Sequence, residues 1–465
     1  MCDSDWSSDV CSSDLDEFDA VLEDIRERVD PGPGERERLQ AVVDELTTEI
    51  ETAITDLPIE ADVVQVGSTA RGTWIAGDRD VDLFVRFPAD LPREELEAYG
   101  LQVGRQVFPE GREEYAEHPY VVGQRGGFDV DLVPCYAVAD ATQIQSAVDR
   151  TPFHTEYLDE HLDDDLTGDV RVCKQFLTGI GVYGSDLRTR GFSGYLTELL
   201  VLECGGFRPF VEAAADWHPP VKIDPEDHGR ATFDDPLVVI DPTDPERNVA
   251  AVCSESNVAR LQHYARELLA DPWVDLFLPA ERDPLDTDAV AAAFEKRETT
   301  PVALVFETPD LVEDDLYPQL RKSLAGIVSL LDRGGFDVLR SDLFADDERA
   351  VLLAELEVLE RPAVARHEGP PVHVRQHAEG FFERYESDET VTGPFIEGDR
   401  YVVEREREHT TAAALLDSGA VFEVALGTHV ESAMANDYDV LPGEEVATLA
   451  EDFGVELADY LDPRP

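Results

Sequence analysis

Glycine, serine and aspartate residues between positions 67 and 131 carry the clearest chemical signal in this sequence. Gly67-Ser68 is followed, twelve residues after the serine, by a D-x-D motif formed by Asp80 and Asp82, and Asp131 lies in a later apolar segment. Because residues i and i+2 of a strand project to the same face, Asp80 and Asp82 are expected to point together. Two aligned carboxylates and a third from a neighbouring strand form a hard oxygen site suited to Mg²⁺, and such a site can hold two ions about 3.5–4 Å apart.

The glycine and serine of this motif are suited to binding phosphate. Gly67 lets the backbone approach a triphosphate, while the Ser68 hydroxyl and the start of the following helix offer hydrogen-bond donors to phosphate oxygens. A D-x-D motif alone is weak, because Asp and Glu make up 102 of the 465 residues. G-S followed by D-x-D, with a third carboxylate on a strand, is far rarer and is typical of the nucleotidyltransferase superfamily related to DNA polymerase β.

The segments around these residues predict an α/β unit that places them. Residues 35–54 have apolar side chains at helical spacing, and residues 69–75 suit a short helix. Strands are predicted at residues 62–66, 81–87 and 128–133, the second stopped by Pro88 and the third by Pro134. Acidic residues therefore follow one face of two strands.

The rest of the chain predicts two further regions. From residue 150 the pattern is mainly helical, with helices around 170–176 and 193–202 and a strand at 236–240, and the Pro- and Asp-rich residues 279–288 indicate a linker. Beyond the linker, a strand, a helix and two strands are typical of a ferredoxin-type β-α-β-β unit. These four elements and a later strand are predicted at residues 302–306, 318–331, 336–344, 350–358 and 400–403.

Several longer segments resemble the archaeal (class I) CCA-adding enzymes. They are residues 129–136 (DVDLVPCY), 149–158 (DRTPFHTEYL), 170–200, 241–251 (DPTDPERNVAA) and 315–320 (DLYPQL). The resemblance extends from about residue 16 to the C-terminus and implies a multidomain α/β and α+β protein. Its domains would be a polymerase-β-like nucleotidyltransferase domain (16–150), a helical and α+β central domain binding nucleotide and tRNA (151–280), and a tRNA-binding C-terminal region with a ferredoxin-like (RRM-like) body and a tail (281–465).

The resemblance implies a tRNA nucleotidyltransferase. Such an enzyme adds and repairs the 3′-terminal CCA of tRNA without a nucleic-acid template, using CTP and ATP and releasing pyrophosphate. One alternative is a poly(A) or oligoadenylate polymerase, which would share G-S…D-x-D but not the segments at 151–200 and around Arg247. A second is a catalytically inactive RNA-binding or antitoxin homologue, against which the intact carboxylates argue.

The resemblance also implies roles for individual residues. Asp80, Asp82 and Asp131 match the metal-binding catalytic carboxylates; Asp129 shares the face of Asp131, so spacing cannot choose between them and the resemblance selects Asp131. The family commonly has Glu where this chain has Asp80. The remaining matches are nucleotide-binding positions, Ser68 and Arg71; positions that contact the triphosphate or sugar, His154, Lys174 and Tyr183; and a base-reading arginine, Arg247.

Each of these matches also has a simpler structural explanation. Arg71 could pair with one of the many carboxylates, Tyr183 could be a core aromatic, and a histidine near a helix start is usually a cap or surface residue. Lys174 is the most informative, because the chain has only four lysines. A compact ammonium for phosphate explains why arginine does not replace it there.

The charge balance predicts a halophilic protein. Lys and Arg total 38 against 102 acidic residues, so the formal net charge is −64. At molar salt the Debye length falls to about 3 Å, so carboxylates repel one another little and mainly hold water. This explanation of the acidity leaves an RNA substrate open.

Other features indicate a soluble cytoplasmic protein without a disulfide framework. No segment approaches the roughly 18 apolar residues of a membrane span, and the six cysteines are scattered without a C-x-x-C pair. Residues 1–15 repeat a Ser-Ser-Asp theme and are interpreted as a non-native leader. Members of the resembled family are commonly homodimers, although no interface can be identified from this sequence.

Overall fold

The computed structural model describes residues 12–229 and 232–465, which divide into two compact units between Ala280 and Glu281. Most of the predicted leader, residues 1–11, lies outside the described residues, and residues 12–15 form the start of the first helix. Among the described residues, no helix is long and apolar enough to cross a membrane.

The N-terminal unit contains a five-stranded sheet, a two-stranded sheet and nine α-helices in its described part. The helices are α1 (Ser12–Val29), α2 (Pro33–Thr55), α3 (Gly67–Arg71), α4 (Arg93–Val107), α5 (Thr151–His161), α6 (Asp164–Gly179), α7 (Gly194–Cys204), α8 (Phe207–Ala215) and α9 (Glu255–Ala270). The strands are β1 (Asp62–Val66), β2 (Asp80–Pro88), β3 (Arg112–Tyr115), β4 (Pro119–Arg125), β5 (Phe128–Ala137), β6 (Val221–Ile223) and β7 (Leu237–Val239).

One face of the five-stranded sheet is apolar, and the opposite face carries the aspartates of β2 and β5. Its strand order is β1-β2-β5-β4-β3, with β2 and β5 parallel and the other pairs antiparallel. Alternate residues such as Val81 and Leu83 of β2 and Val130 of β5 pack against α2 and α4, which bury Leu46 and Val103. The period-2 alternation therefore directs the aspartates of β2 and β5 away from this core.

Two predicted element bounds in this unit are wrong. The short helix begins at Gly67 and ends at Arg71, because Gly72 adopts the left-handed conformation (φ +69°) that stops a helix. The third strand continues through Pro134 to Ala137. Proline is tolerated at position 134 because the pairing of β5 with β4 ends at Leu132, so no strand needs an N–H group from Pro134 on that edge. On the same edge, the Tyr136 N–H donates to Asp149 instead of to a strand.

The helical part of the N-terminal unit has its own core, built from α1, α6–α9 and the parallel pair β6-β7. Aromatic side chains fill it, with Phe176, Phe207 and Phe277 in mutual contact. Ser193 caps α7 by accepting a hydrogen bond from Leu196 N. These contacts fix the positions of α6 and α7 within the helical part.

The C-terminal unit contains two antiparallel sheets. A four-stranded sheet has the order β14-β8-β10-β9, and a three-stranded sheet has the order β11-β13-β12. The helices are α10 (Thr287–Arg297), α11 (Glu313–Gly334), α12 (Arg375–Tyr385), α13 (Ala412–Leu416), α14 (Thr428–Asn436) and α15 (Ala450–Leu461). The strands are β8 (Thr300–Glu307), β9 (Val338–Ala345), β10 (Arg349–Leu356), β11 (Val364–Pro371), β12 (Val391–Glu397), β13 (Arg400–Glu406) and β14 (Asp439–Pro442).

Candidate active site

The three aspartates of the motif lie on one face of the β2–β5 pair. The parallel register places Asp82 opposite Asp131 and Asp80 opposite Asp129. Asp82 and Asp131 are half-buried, whereas Asp129 is exposed and accepts a hydrogen bond from Gln124 Nε2 at 2.7 Å. Burial therefore separates Asp131 from Asp129, although Asp80 is exposed as well, and the choice of Asp131 as a ligand stays a prediction.

Negative charge in this group of aspartates is only partly compensated. Burial, with the nearby charges of Asp131 and Asp80, raises the pKa of Asp82 to about 6. Burial and the charges of Glu114 and Asp80 likewise raise the pKa of Asp131 to about 6. Burial and Asp78 also raise the pKa of Asp80. Such shifts show that the folded chain gathers carboxylates without supplying enough positive charge to balance them.

The donor set fits a hard divalent cation. Three carboxylates from two adjacent strands provide the oxygen ligands that Mg²⁺ prefers, and a cation would relieve their repulsion. In the described part of the chain, however, no group of three or more His, Cys, Asp or Glu side chains is placed so that it could already hold a metal ion. The fit therefore rests on the chemistry of the three aspartates and on their shared face of the sheet.

Gly67 brings the backbone against this face. Its φ is +76°, and a Cβ at this position would lie 2.1 Å from Asp82 Oδ2. The next residue, Ser68, is partly exposed, and its carbonyl accepts the N–H groups of Gly72 and Thr73. Only glycine permits both this conformation and this approach.

Arg71 and Lys174 are joined by a buried carboxylate, Glu198. Arg71 Nη2 donates to Glu198 Oε2 at 2.8 Å, and Lys174 Nζ lies 3.4 Å from Glu198 Oε1. Thr73 Oγ1 also donates to Glu198 Oε1, and Lys174 Nζ donates to Thr73 O at 3.1 Å. The side chains of Arg71, Lys174 and Glu198 are 7%, 4% and 0% exposed. The ion pair given as the simpler explanation for Arg71 is thus present, its nucleotide-binding role stays a prediction, and Lys174 lies beneath the surface.

Tyr183 lies beside this group. A Cβ on Gly194, the first residue of α7, would be 3.2 Å from the Tyr183 hydroxyl oxygen and 3.8 Å from Lys174 Nζ. A tyrosine hydroxyl is protonated at neutral pH, and burial raises the pKa of Tyr183 further. The hydroxyl is therefore available as a neutral donor next to Lys174.

His154 and Arg247 share a second buried carboxylate, Asp241. His154 Nε2 is hydrogen-bonded to Asp241 Oδ2 at 2.9 Å, and Arg247 Nη1 donates to the same oxygen at 2.8 Å. The His154 ring stacks on Tyr195, with ring centroids 3.8 Å apart. Burial lowers the pKa of His154, whereas His154 and Thr243 outweigh burial and hold the pKa of Asp241 below its usual range.

One arginine connects the three groups. Arg71 Nη1 donates to Thr155 Oγ1 at 3.0 Å, next to His154, and the Arg71 charge lowers the pKa of Asp82. The structure thus brings the predicted site residues into one region of the N-terminal unit.

Sequence reasoning missed Glu198, Thr73, Tyr195 and the role of Asp241. An available signal was Glu198 itself, an ionisable residue between buried leucines of α7.

Family models match three stretches of the chain. A "nucleotidyltransferase domain" model matches residues 48–154, a "tRNA nucleotidyltransferase, second domain" model residues 168–278, and a "CCA-adding enzyme, C-terminal domain" model residues 297–443. The first two models cover all the predicted site residues. The third lies wholly in the C-terminal unit.

Relatives match over nearly the full length. The chain is 64% identical to the CCA-adding enzyme of Haloarcula marismortui (97% of this chain and 100% of the relative) and 60% identical to that of Halorubrum lacusprofundi (97% and 100%). It is 40% identical to that of Methanosarcina acetivorans, over 95% of this chain and 99% of the relative. Two of these three relatives come from halophilic archaea, which agrees with the charge balance.

Proposed function

Since the chain belongs to the CCA-adding enzymes, which are tRNA nucleotidyltransferases, we propose that the aspartate face of β2 and β5 and the two buried carboxylate groups beside it form its active site. Matches to all three family models distinguish this assignment from a poly(A) or oligoadenylate polymerase. The observation that carries the site is the register of Asp82 against Asp131, with the Gly67 backbone beside them.

In this proposal the substrates are CTP, ATP and the 3′ end of tRNA. The 3′-hydroxyl attacks the α-phosphate of the nucleotide, a new phosphodiester bond forms, and pyrophosphate leaves. Asp80, Asp82 and Asp131 would hold Mg²⁺, two ions at full occupancy, which supplies Lewis-acid charge for both the attacking and the leaving oxygens.

The other residues position the nucleotide. Ser68, at the start of α3, offers its hydroxyl to phosphate oxygens, while Arg71, Lys174 and the Tyr183 hydroxyl set the positive and donor-rich side of the site. Arg247 is one-third exposed and uses one nitrogen on Asp241. Its remaining donors suit the edge of the incoming base, and His154 lies beside it on the same carboxylate.

The domain organisation is part of the proposal. The break between Ala280 and Glu281 supports a boundary at the predicted linker. In the four-stranded sheet of the C-terminal unit, the first, second, third and fourth strands along the chain are β8, β9, β10 and β14, and their spatial order is fourth-first-third-second. This antiparallel order supports a ferredoxin-like body, which would bind the acceptor arm of tRNA by shape and backbone contacts.

The test is nucleotide addition to a tRNA that ends at the discriminator base. The full chain, in multimolar KCl with Mg²⁺, should add two C residues and one A when given CTP and ATP, and should stop there. Continued addition of A from ATP alone would support a poly(A) polymerase, and binding of tRNA without incorporation would support an inactive homologue.

A further inference from the structure

The strongest unassigned feature is Glu198, because its carboxylate is the common partner of two cations from different parts of the N-terminal unit. Arg71 and Thr73 come from α3 and the loop after it, whereas Lys174 and Glu198 come from α6 and α7. Glu198 is fully buried, and its two oxygens are both used, one by Arg71 and the other by Thr73 and Lys174. A single side chain thus links the loop after the Gly-Ser motif to the helical region.

The group contains an imbalance. Within ion-pair distance, Arg71 and Lys174 carry two positive charges and Glu198 one negative charge. In the described residues, Asp78 acts on Lys174, and Asp159 and Asp82 act on Arg71, only from beyond ion-pair distance. Arg71 Nε also has no hydrogen-bond partner, and it is buried, since the Arg71 side chain is only 7% exposed. Buried excess charge and an unpaired donor are both unfavourable unless an anion satisfies them.

Two facts place this group beside the residues proposed to bind the triphosphate. Arg71 lies three residues after Ser68 in the five-residue helix α3, and its charge acts on Asp82. The Tyr183 hydroxyl adds a donor beside Lys174.

We propose that Glu198 is a positioning residue: it holds Arg71 and Lys174 together against their mutual repulsion and leaves the group one charge positive, which the triphosphate of CTP or ATP neutralises. This inference rests on the proposed function, because it assumes that these cations serve the nucleotide. It predicts that Glu198 controls nucleotide affinity through the two cations, without touching tRNA or the base. CTP and ATP should therefore depend on it equally.

The test compares Glu198→Gln with a matched control, Glu355→Gln, in the full chain at multimolar KCl. Glu355 of β10 is also fully buried and accepts hydrogen bonds from Arg297, Thr299 and Tyr460, but it lies in the C-terminal unit. Both variants should lower the melting temperature. Only Glu198→Gln should raise KM for CTP and for ATP, each by about tenfold or more, because a hydrogen-bonded charge is lost.

Two further variants keep the inference testable if Glu198→Gln does not fold. Glu198→Asp retains the charge and should raise both KM values much less than Glu198→Gln does, whereas Thr73→Val removes one donor to Glu198 and should raise both by about threefold. Unchanged nucleotide KM values in Thr73→Val, or in a folded Glu198→Gln, would overturn the inference. A wild-type chain that adds no nucleotide would instead overturn the proposed function.

Discussion

Two kinds of buried carboxylate occur in the N-terminal unit, and they differ in what neutralises them. Glu198 and Asp241 are each surrounded by donors of the chain itself, and both have a lowered pKa despite burial. Asp82 and Asp131 face each other and other acids, and their pKa values are raised to about 6. The first kind fixes the positions of side chains; the second leaves negative charge that a bound cation would balance.

The largest expected effect comes from removing a carboxylate of the second kind. Asp82→Ala should reduce nucleotide addition by about 1,000-fold or more, because a metal ligand supplies several kcal/mol of transition-state stabilisation. Circular dichroism should show an intact fold, and Mg²⁺ should raise the melting temperature of the wild type more than that of the variant.

Asp129→Ala is the matched control, since Asp129 lies on the same face opposite Asp80 but is exposed and bonded to Gln124. We expect it to retain activity within about threefold, in line with an exposed polar contact. Near-normal turnover of Asp82→Ala in Mg²⁺, or equal losses in the two variants, would show that the metal ligands are assigned wrongly.

The next effect tests how closely the backbone must approach this carboxylate. Gly67→Ala should lower the rate by about 100-fold, because its Cβ would collide with Asp82 Oδ2 and its φ of +76° disfavours any side chain. Gly72→Ala carries similar backbone strain (φ +69°), but its Cβ meets nothing closer than Thr167 Cγ2 at 3.6 Å. Measured rates and melting temperatures should therefore separate: both variants lose stability, and only Gly67→Ala loses most of its activity.

The first kind of carboxylate is tested through Arg247, the partly exposed partner of Asp241. Arg247→Ala should reduce nucleotide incorporation by about 10- to 100-fold and weaken discrimination between C and A, because it removes the donors proposed to read the base. The affinity for tRNA should stay within about twofold when measured by filter binding, since no phosphate contact is lost. A uniform loss of tRNA affinity with normal base choice would place Arg247 on the RNA backbone.

Local sequence pattern predicted which residues and strands form the site, but not how they pair in space. The D-x-D motif of Asp80 and Asp82 is read directly from the sequence and its strand follows from period-2 alternation, whereas the choice of Asp131 over Asp129 came from the resemblance. Their pairing did not follow, because the register of Asp82 with Asp131 joins strands 49 residues apart in sequence. Glu198 was missed for the same reason, since its partner Arg71 is 127 residues away.

The resemblance supplied the candidate nucleotide residues, and the structure adds what holds them. Lys174 was singled out by its rarity, yet no spacing rule indicates that its ammonium lies between Thr73 and Glu198. The predicted bounds of an element were wrong where a single residue ends it early, as Gly72 ends α3 after Arg71. Burial and long-range pairing are therefore the parts of the fold that the sequence alone leaves open.

The smallest expected effect concerns the charge of the whole chain rather than one site. At a net charge of −64 the protein should repel both itself and tRNA at low ionic strength. Exposed ion pairs such as Arg375 with Glu379 contribute at most about 1 kcal/mol each, so their screening by salt matters less than the relief of repulsion. Folding, tRNA affinity and activity should therefore all rise toward about 2 M KCl, where the Debye length is a few ångströms.

The measurement that checks this is tRNA affinity at several KCl concentrations, taken only where circular dichroism shows folded protein. We expect affinity to increase by no more than about tenfold, whereas a basic RNA-binding surface would lose about 1,000-fold or more through counterion release. A steep loss on folded protein would mean that a concentrated arginine surface dominates binding. The acidity would then explain solubility at high salt, but not how the chain binds RNA. The contrast between neutralised and unneutralised carboxylates in the site would stand, because it depends on groups that are buried or half-buried and that salt screens weakly.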